Sequence, residues 1–81
     1  MMEEMIGFVM GNKQRIRVME VIESKGPQPA AKIAKFSHLT APAAGRVLEE
    51  LGGKGLIEEN DGAWNFTDLG IEIQKELKKR A

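Results

Sequence analysis

The sequence predicts an α+β fold that is mostly helical: a short N-terminal helix, a three-helix head, a two-stranded hairpin and a C-terminal helix. Three observations predict it. Up to Gly55 the apolar residues recur at helical spacing, whereas Leu56-Ile57-Glu58-Glu59 and Ala63-Trp64-Asn65-Phe66 read as strands. Glycine, proline and asparagine fall between the periodic segments, at Gly11-Asn12, Gly26-Pro27-Gln28-Pro29 and Asn60-Asp61-Gly62. At 81 residues the chain is one domain, residues 1–81, because two cores would leave each too small to stand without disulfides or metal.

The elements follow in order. Residues 1–10 form an apolar segment, with Met2, Met5, Ile6 and Val9 on one helical stripe, weakened by Gly7. Asn12 is a good N-cap for a helix over Lys13–Lys25, which turns Ile16, Met19 and Ile22 to one face. The prolines at 27 and 29 end it, and a short helix follows to Phe36 with Ala30, Ile33 and Ala34 inward. Ser37-His38-Leu39 is a turn in which His38 tolerates a left-handed backbone. Thr40 caps the next helix, Pro42 sits in its first turn, and Ala44, Val47, Leu48 and Leu51 share its inner face. The strands of residues 56–66 are joined by a tight Asp61-Gly62 turn, and Ile57, Trp64 and Phe66 join the expected core. Thr67-Asp68 opens the last helix, residues 67–80, with Leu69, Ile73 and Leu77 at successive turns. Leu39, Leu69 and Ile73 complete the expected core.

Composition excludes several functions. There is no cysteine and only one histidine, so neither a thiolate site nor a paired-histidine metal site can be built. No cofactor and no small-molecule ligand is expected. Glu49-Glu50 and Glu58-Glu59 are adjacent pairs that point apart, and Gly52, Gly53 and Gly55 lack the strand–loop–helix setting of a phosphate loop. No nucleophile–base pair emerges, so the chain reads as a non-enzyme. No apolar run is long enough to span a membrane, and the acidic start is unlike a secretion signal; a cytoplasmic protein is expected. Twelve bases balance twelve acids, yet they are segregated. Residues 13–46 carry seven bases against two acids, and residues 47–72 carry seven acids against one base. Such a dipolar chain has one side suited to an anion, although the same bases also fit a merely solvated surface.

The motifs match a known pattern. Ala34, Leu39, Ala44 and Val47 take the small and apolar positions of a helix-turn-helix over residues 29–53. Val47-Leu48-Glu49-Glu50-Leu51-Gly52-Gly53-Lys54-Gly55-Leu56-Ile57 looks like the end of a recognition helix running into a wing. Trp64-Asn65-Phe66-Thr67-Asp68-Leu69-Gly70 resembles the aromatic–x–apolar–Thr–x–x–Gly signature that closes the wing and opens the final helix. In this order, the chain from residue 11 to 80 resembles the winged helix-turn-helix superfamily of small prokaryotic transcription regulators.

The resemblance implies a DNA-binding regulator whose third head helix enters the major groove of double-stranded DNA. The residues expected to meet DNA are Thr40, Ala41, Pro42, Ala43 and Arg46 on that helix, with Lys13, Arg15, Arg17, Lys32 and Lys35 on the phosphates. It also implies a homodimer, and the spare apolar residues Met2, Met5, Ile6, Val9, Ile73 and Leu77 are its expected contact. A rival reading is a winged-helix protein-interaction module, favoured by zero net charge, by Glu58, Glu59 and Asp61 on the wing, and by the Ala/Pro-rich start of the recognition helix.

Overall fold

The computed structural model describes residues 2–80; the outermost positions of the expected domain, Met1 and Ala81, lie outside the described residues. Seven elements follow in sequence: α1 (Met2–Met10), α2 (Lys13–Lys25), α3 (Ala30–Ser37), α4 (Ala41–Gly53), β1 (Ile57–Asn60), β2 (Ala63–Phe66) and α5 (Asp68–Arg80). The caps stand where expected. Asn12 Oδ1 accepts the Gln14 N–H at 2.7 Å, Thr40 Oγ1 accepts that of Ala43 at 3.2 Å, and Thr67 Oγ1 accepts that of Gly70 at 3.1 Å. Each satisfies an N–H that the helix itself leaves free. His38 takes φ 58° and ψ 41°, and the Leu39 N–H returns to the Ala34 carbonyl at 2.9 Å. That left-handed residue closes α3 and redirects the chain into α4.

α2 is the central helix, packed against α1, α3, α4 and the hairpin. This is why Val18 and Val21 are buried along with Met19 and Ile22. They meet Ile33 of α3, Val47, Leu48 and Leu51 of α4, Leu56 and Ile57 at the hairpin, and Ile73 of α5 in one core. Ile16, Leu39, Trp64 and Phe66 are half-buried and pack against it.

The wing is a hairpin with Ile57 opposite Phe66 and Asn60 opposite Ala63. Asp61 (φ 52°) and Gly62 (φ 81°) both have positive φ, as a two-residue turn matched to strand twist requires. The sequence reading treats Gln28 only as part of a helix stop. In the fold it forms an antiparallel bridge to Trp64, with Gln28 N–H to Trp64 O at 3.2 Å and Trp64 N–H to Gln28 O at 2.8 Å. β2 therefore has backbone partners on both edges.

Three expectations are corrected. Leu69 is 40% exposed rather than core. The inner stripe of α5 is Gly70, Ile73, Gln74 and Leu77, because α5 closes on the chain at Gly70. A Cβ there would overlap the Leu56 carbonyl and press on the Phe66 ring, so only glycine permits the approach, and that rotation turns Leu69 outward. Ala30 begins α3 and is exposed, not inward. Ile6, Val9 and Ile73, expected at a dimer contact (Ile73 in the core as well), are 3%, 0% and 0% exposed within the single chain. α1 lies on α2 and α5, so these three fill the chain's own core.

Candidate nucleic-acid interface

The site grows from the turn between α3 and α4. The Thr40 cap and the left-handed His38 fix where α4 starts. Ala44, Val47, Leu48 and Leu51 bury one face of α4, which commits the other face to solvent. On that outer side Thr40, Ala41, Pro42 and Arg46 are exposed, and Ala43 and Gly45 are half-exposed. Pro42, Gly45, Arg46, Glu49 and Glu50 line a shallow depression along it. Lys32 and Lys35 are exposed on α3, which packs directly on α4. Lys13 and Arg17 are exposed on α2. Arg17 also donates to the Ser37 carbonyl at 3.1 Å, which pins it to the end of α3 beside the turn. A cation there meets the negative end of that helix as well as a free carbonyl.

Arg15 departs from expectation. Only 18% of its side chain is exposed. Its Nε donates to Glu50 Oε1 of α4 at 3.1 Å, a terminal guanidinium nitrogen donates to the Phe8 carbonyl of α1 at 2.7 Å, and its guanidinium lies 3.9 Å from the Phe8 ring centroid. The planar guanidinium joins three helices through two of its donor nitrogens and its contact with the Phe8 ring. The structure thus moves Arg15 from the phosphate-facing set to a structural joint.

The hairpin carries the opposite charge. Glu58, Glu59 and Asp61 are exposed at and beside the turn. Behind the head, Glu23 pairs with Lys78 at 2.9 Å and accepts from Gln74 Nε2 at 3.1 Å. The Lys78 ammonium, followed by the Gln74 amide, holds the Glu23 carboxyl below the usual carboxylate range against the opposing effect of burial.

Among the described residues, no group of three His, Cys, Asp or Glu side chains could hold a metal ion, and no helix is long and apolar enough to cross a membrane. Of the expected dimer residues, Met2 is exposed and Met5 and Leu77 are half-exposed. Met10, at 50% exposure, is an apolar surface residue beside them that the stripe at residues 2, 5, 6 and 9 leaves out. Gly45 and Glu49 are likewise additions to the α4 face; a glycine inside an otherwise regular helix is the sequence signal that marks the first of them.

Comparison with known proteins places this geometry. The model of the MarR family matches residues 12–61, from the α2 cap to the hairpin turn. The chain is similar to the crystal structure of RV1404 from Mycobacterium tuberculosis, with a TM-score of 0.79 and 20% identity over 91% of this chain and 56% of that one. It is also similar to a protein of unknown function from Listeria innocua, with a TM-score of 0.81 and 22% identity over 96% of this chain and 61% of that one. The chain therefore spans less than two thirds of the length of either structure, and at these identities the likeness is one of fold. No curated protein matches the chain.

Proposed function

As the chain belongs to the MarR family of winged-helix transcription regulators, rather than to a family of enzymes, we propose that it binds double-stranded DNA through the outer face of α4. The observation that carries this reading is the exposed start of α4, with Thr40 and Arg46 as its hydrogen-bonding side chains and Lys32, Lys35, Lys13 and Arg17 exposed on the helices packed behind it, Arg17 held beside the turn by the Ser37 carbonyl. Ala41, Pro42 and Ala43 offer apolar surface only, so most hydrogen bonds go to the sugar–phosphate backbone. Such contacts supply affinity and position but carry no sequence information directly, so any preference rests on DNA shape and on what the apolar surface of α4 meets. The chain acts in the cytoplasm as a homodimer whose contact uses Met2, Met5 and Leu77, with Met10 beside them. The pair then meets half-sites about one helical turn apart.

The test is binding to an unrelated duplex across a salt series. Several phosphate contacts give a steep fall in affinity with salt. Arg46→Ala removes about one unit from that slope if Arg46 meets phosphate, or costs about 1–3 kcal/mol at one preferred sequence if it reads guanine. Absence of duplex binding at low salt overturns the reading. It would promote a protein-interaction module, the function that the exposed acids Glu58, Glu59 and Asp61 favour.

A further inference from the structure

Gly45 is anomalous in its own helix. It lies in the middle of α4, whose thirteen residues run from Ala41 to Gly53. Glycine there weakens the helix relative to alanine, because it loses more backbone entropy on folding. The fold does not require it. A Cβ built at Gly45 meets nothing within 4 Å, and its φ is not positive. Gly70 is the opposite case, since there a Cβ would strike backbone. Nothing inside the chain accounts for the missing side chain at 45, so its reason is sought outside.

The place of Gly45 shows what can approach. Gly45 lines the shallow depression on the outer side of α4 together with Pro42 and Arg46 near the start of the helix and Glu49 and Glu50 one turn further on. Pro42 adds an apolar wall. The carboxylates repel a phosphate at that end, although Glu50 is paired with Arg15 at 3.1 Å. An uncharged, apolar group is therefore favoured beside Gly45, with the anionic backbone kept toward Arg46. The major-groove group that fits is the C5-methyl of thymine.

We propose that Gly45 is a specificity-determining residue: it lets α4 approach the floor of the major groove closely enough to seat a thymine methyl between Pro42 and its own Cα. This rests on the DNA-binding reading above and assigns the chemistry that the apolar part of α4 reads. A chain so built prefers A·T steps through methyl contact, and Arg46 anchors the same helix to the backbone.

The experiment uses the full chain and two duplexes, one of alternating dA–dT and one with deoxyuridine in place of thymidine, which removes only the methyl groups. The wild-type chain binds the thymine duplex about threefold or more tightly. Gly45→Ala melts about 4 °C higher or more, because the helix is strengthened, yet binds the thymine duplex at least about fivefold more weakly and no longer distinguishes the two. Gly7→Ala is the control: Gly7 is also helical with open space around it, but lies on α1, so the variant gains stability without losing affinity. Wild-type-like binding by Gly45→Ala, while Arg46→Ala weakens binding, overturns the role of Gly45 and leaves DNA binding standing. Equal loss on both duplexes overturns the thymine assignment, and a matching loss in Gly7→Ala overturns close approach as the cause. If the wild-type chain binds neither duplex, the DNA-binding reading falls, and this inference with it.

Discussion

The inner joints of the molecule and the outer face of α4 use the same residue types to opposite ends. Arg15 and Arg46 are both basic and both border α4. Arg15 is spent on Glu50, the Phe8 carbonyl and the Phe8 ring, whereas Arg46 stands in solvent. Gly70 and Gly45 are both helical glycines. Gly70 is the contact point of α5 with the Leu56 carbonyl, and Gly45 has open space above it. The lesson is that residue type does not decide role; what the neighbouring elements leave free decides it.

The comparison is broken most severely at Gly70. Gly70→Ala places a methyl where the Leu56 carbonyl stands, and relief requires moving α5 or the hairpin rather than a side chain. A loss of about 3 kcal/mol or more is expected in urea unfolding, at the upper end of overpacking costs. A fully stable variant would show that α5 slides without penalty. Arg15→Ala comes next. It strands the Phe8 carbonyl and leaves Glu50 without its partner, for an expected loss of about 1–2 kcal/mol, discounted because the pair is partly solvated.

Arg46→Ala sharpens the contrast from the other side. Its stability should change by no more than about 0.5 kcal/mol, as for an exposed residue with no fixed contact. Duplex affinity, by contrast, should fall. Thermal melts and binding isotherms on Arg15→Ala and Arg46→Ala together test the division: one variant loses mainly stability, the other mainly binding. Equal losses of both in each variant would erase the distinction.

The smallest effect belongs to Glu23. Its carboxyl titrates below the usual value of 4.5 in the folded chain, chiefly through its hydrogen bond to Lys78. A depressed acid contributes stability that is present above its unfolded pKa and lost as pH falls through its folded pKa. Acid unfolding of Glu23→Gln should therefore be shallower below about pH 4.5, by no more than a few tenths of a kcal/mol since Lys78 is largely exposed. An unchanged acid limb would mean that the pair contributes nothing in solution.

Much of this was legible in the sequence, and the physical reasons are local. Asn12, Thr40 and Thr67 announce helix starts because a cap acts within three residues of itself. His38 and Asp61-Gly62 announce turns because few residues accept positive φ. The outer face of α4 follows once its buried stripe is known. What stayed hidden depends on distant partners. Arg15 looks like any surface base until Glu50, thirty-five positions away, and the end of α1 are brought beside it. Leu69 fits a helical stripe as well as Gly70 does, and only the Leu56 carbonyl decides between them. Gln28 makes one bridge between two prolines, with no alternating run to betray it.

That bridge has a consequence for how the protein survives crowding. A hairpin by itself has two open edges, each able to recruit a strand from another molecule. Gln28 occupies the outer edge of β2 at Trp64, so the open edge of the sheet among the described residues is that of β1. β1 carries Glu58 and Glu59, both exposed, and Asp61 follows at the turn. A second copy approaching edge to edge would set these carboxylates against their own kind. The acidity of the wing thus makes its remaining edge self-repelling, and resistance to aggregation is built into the hairpin whether or not DNA is near.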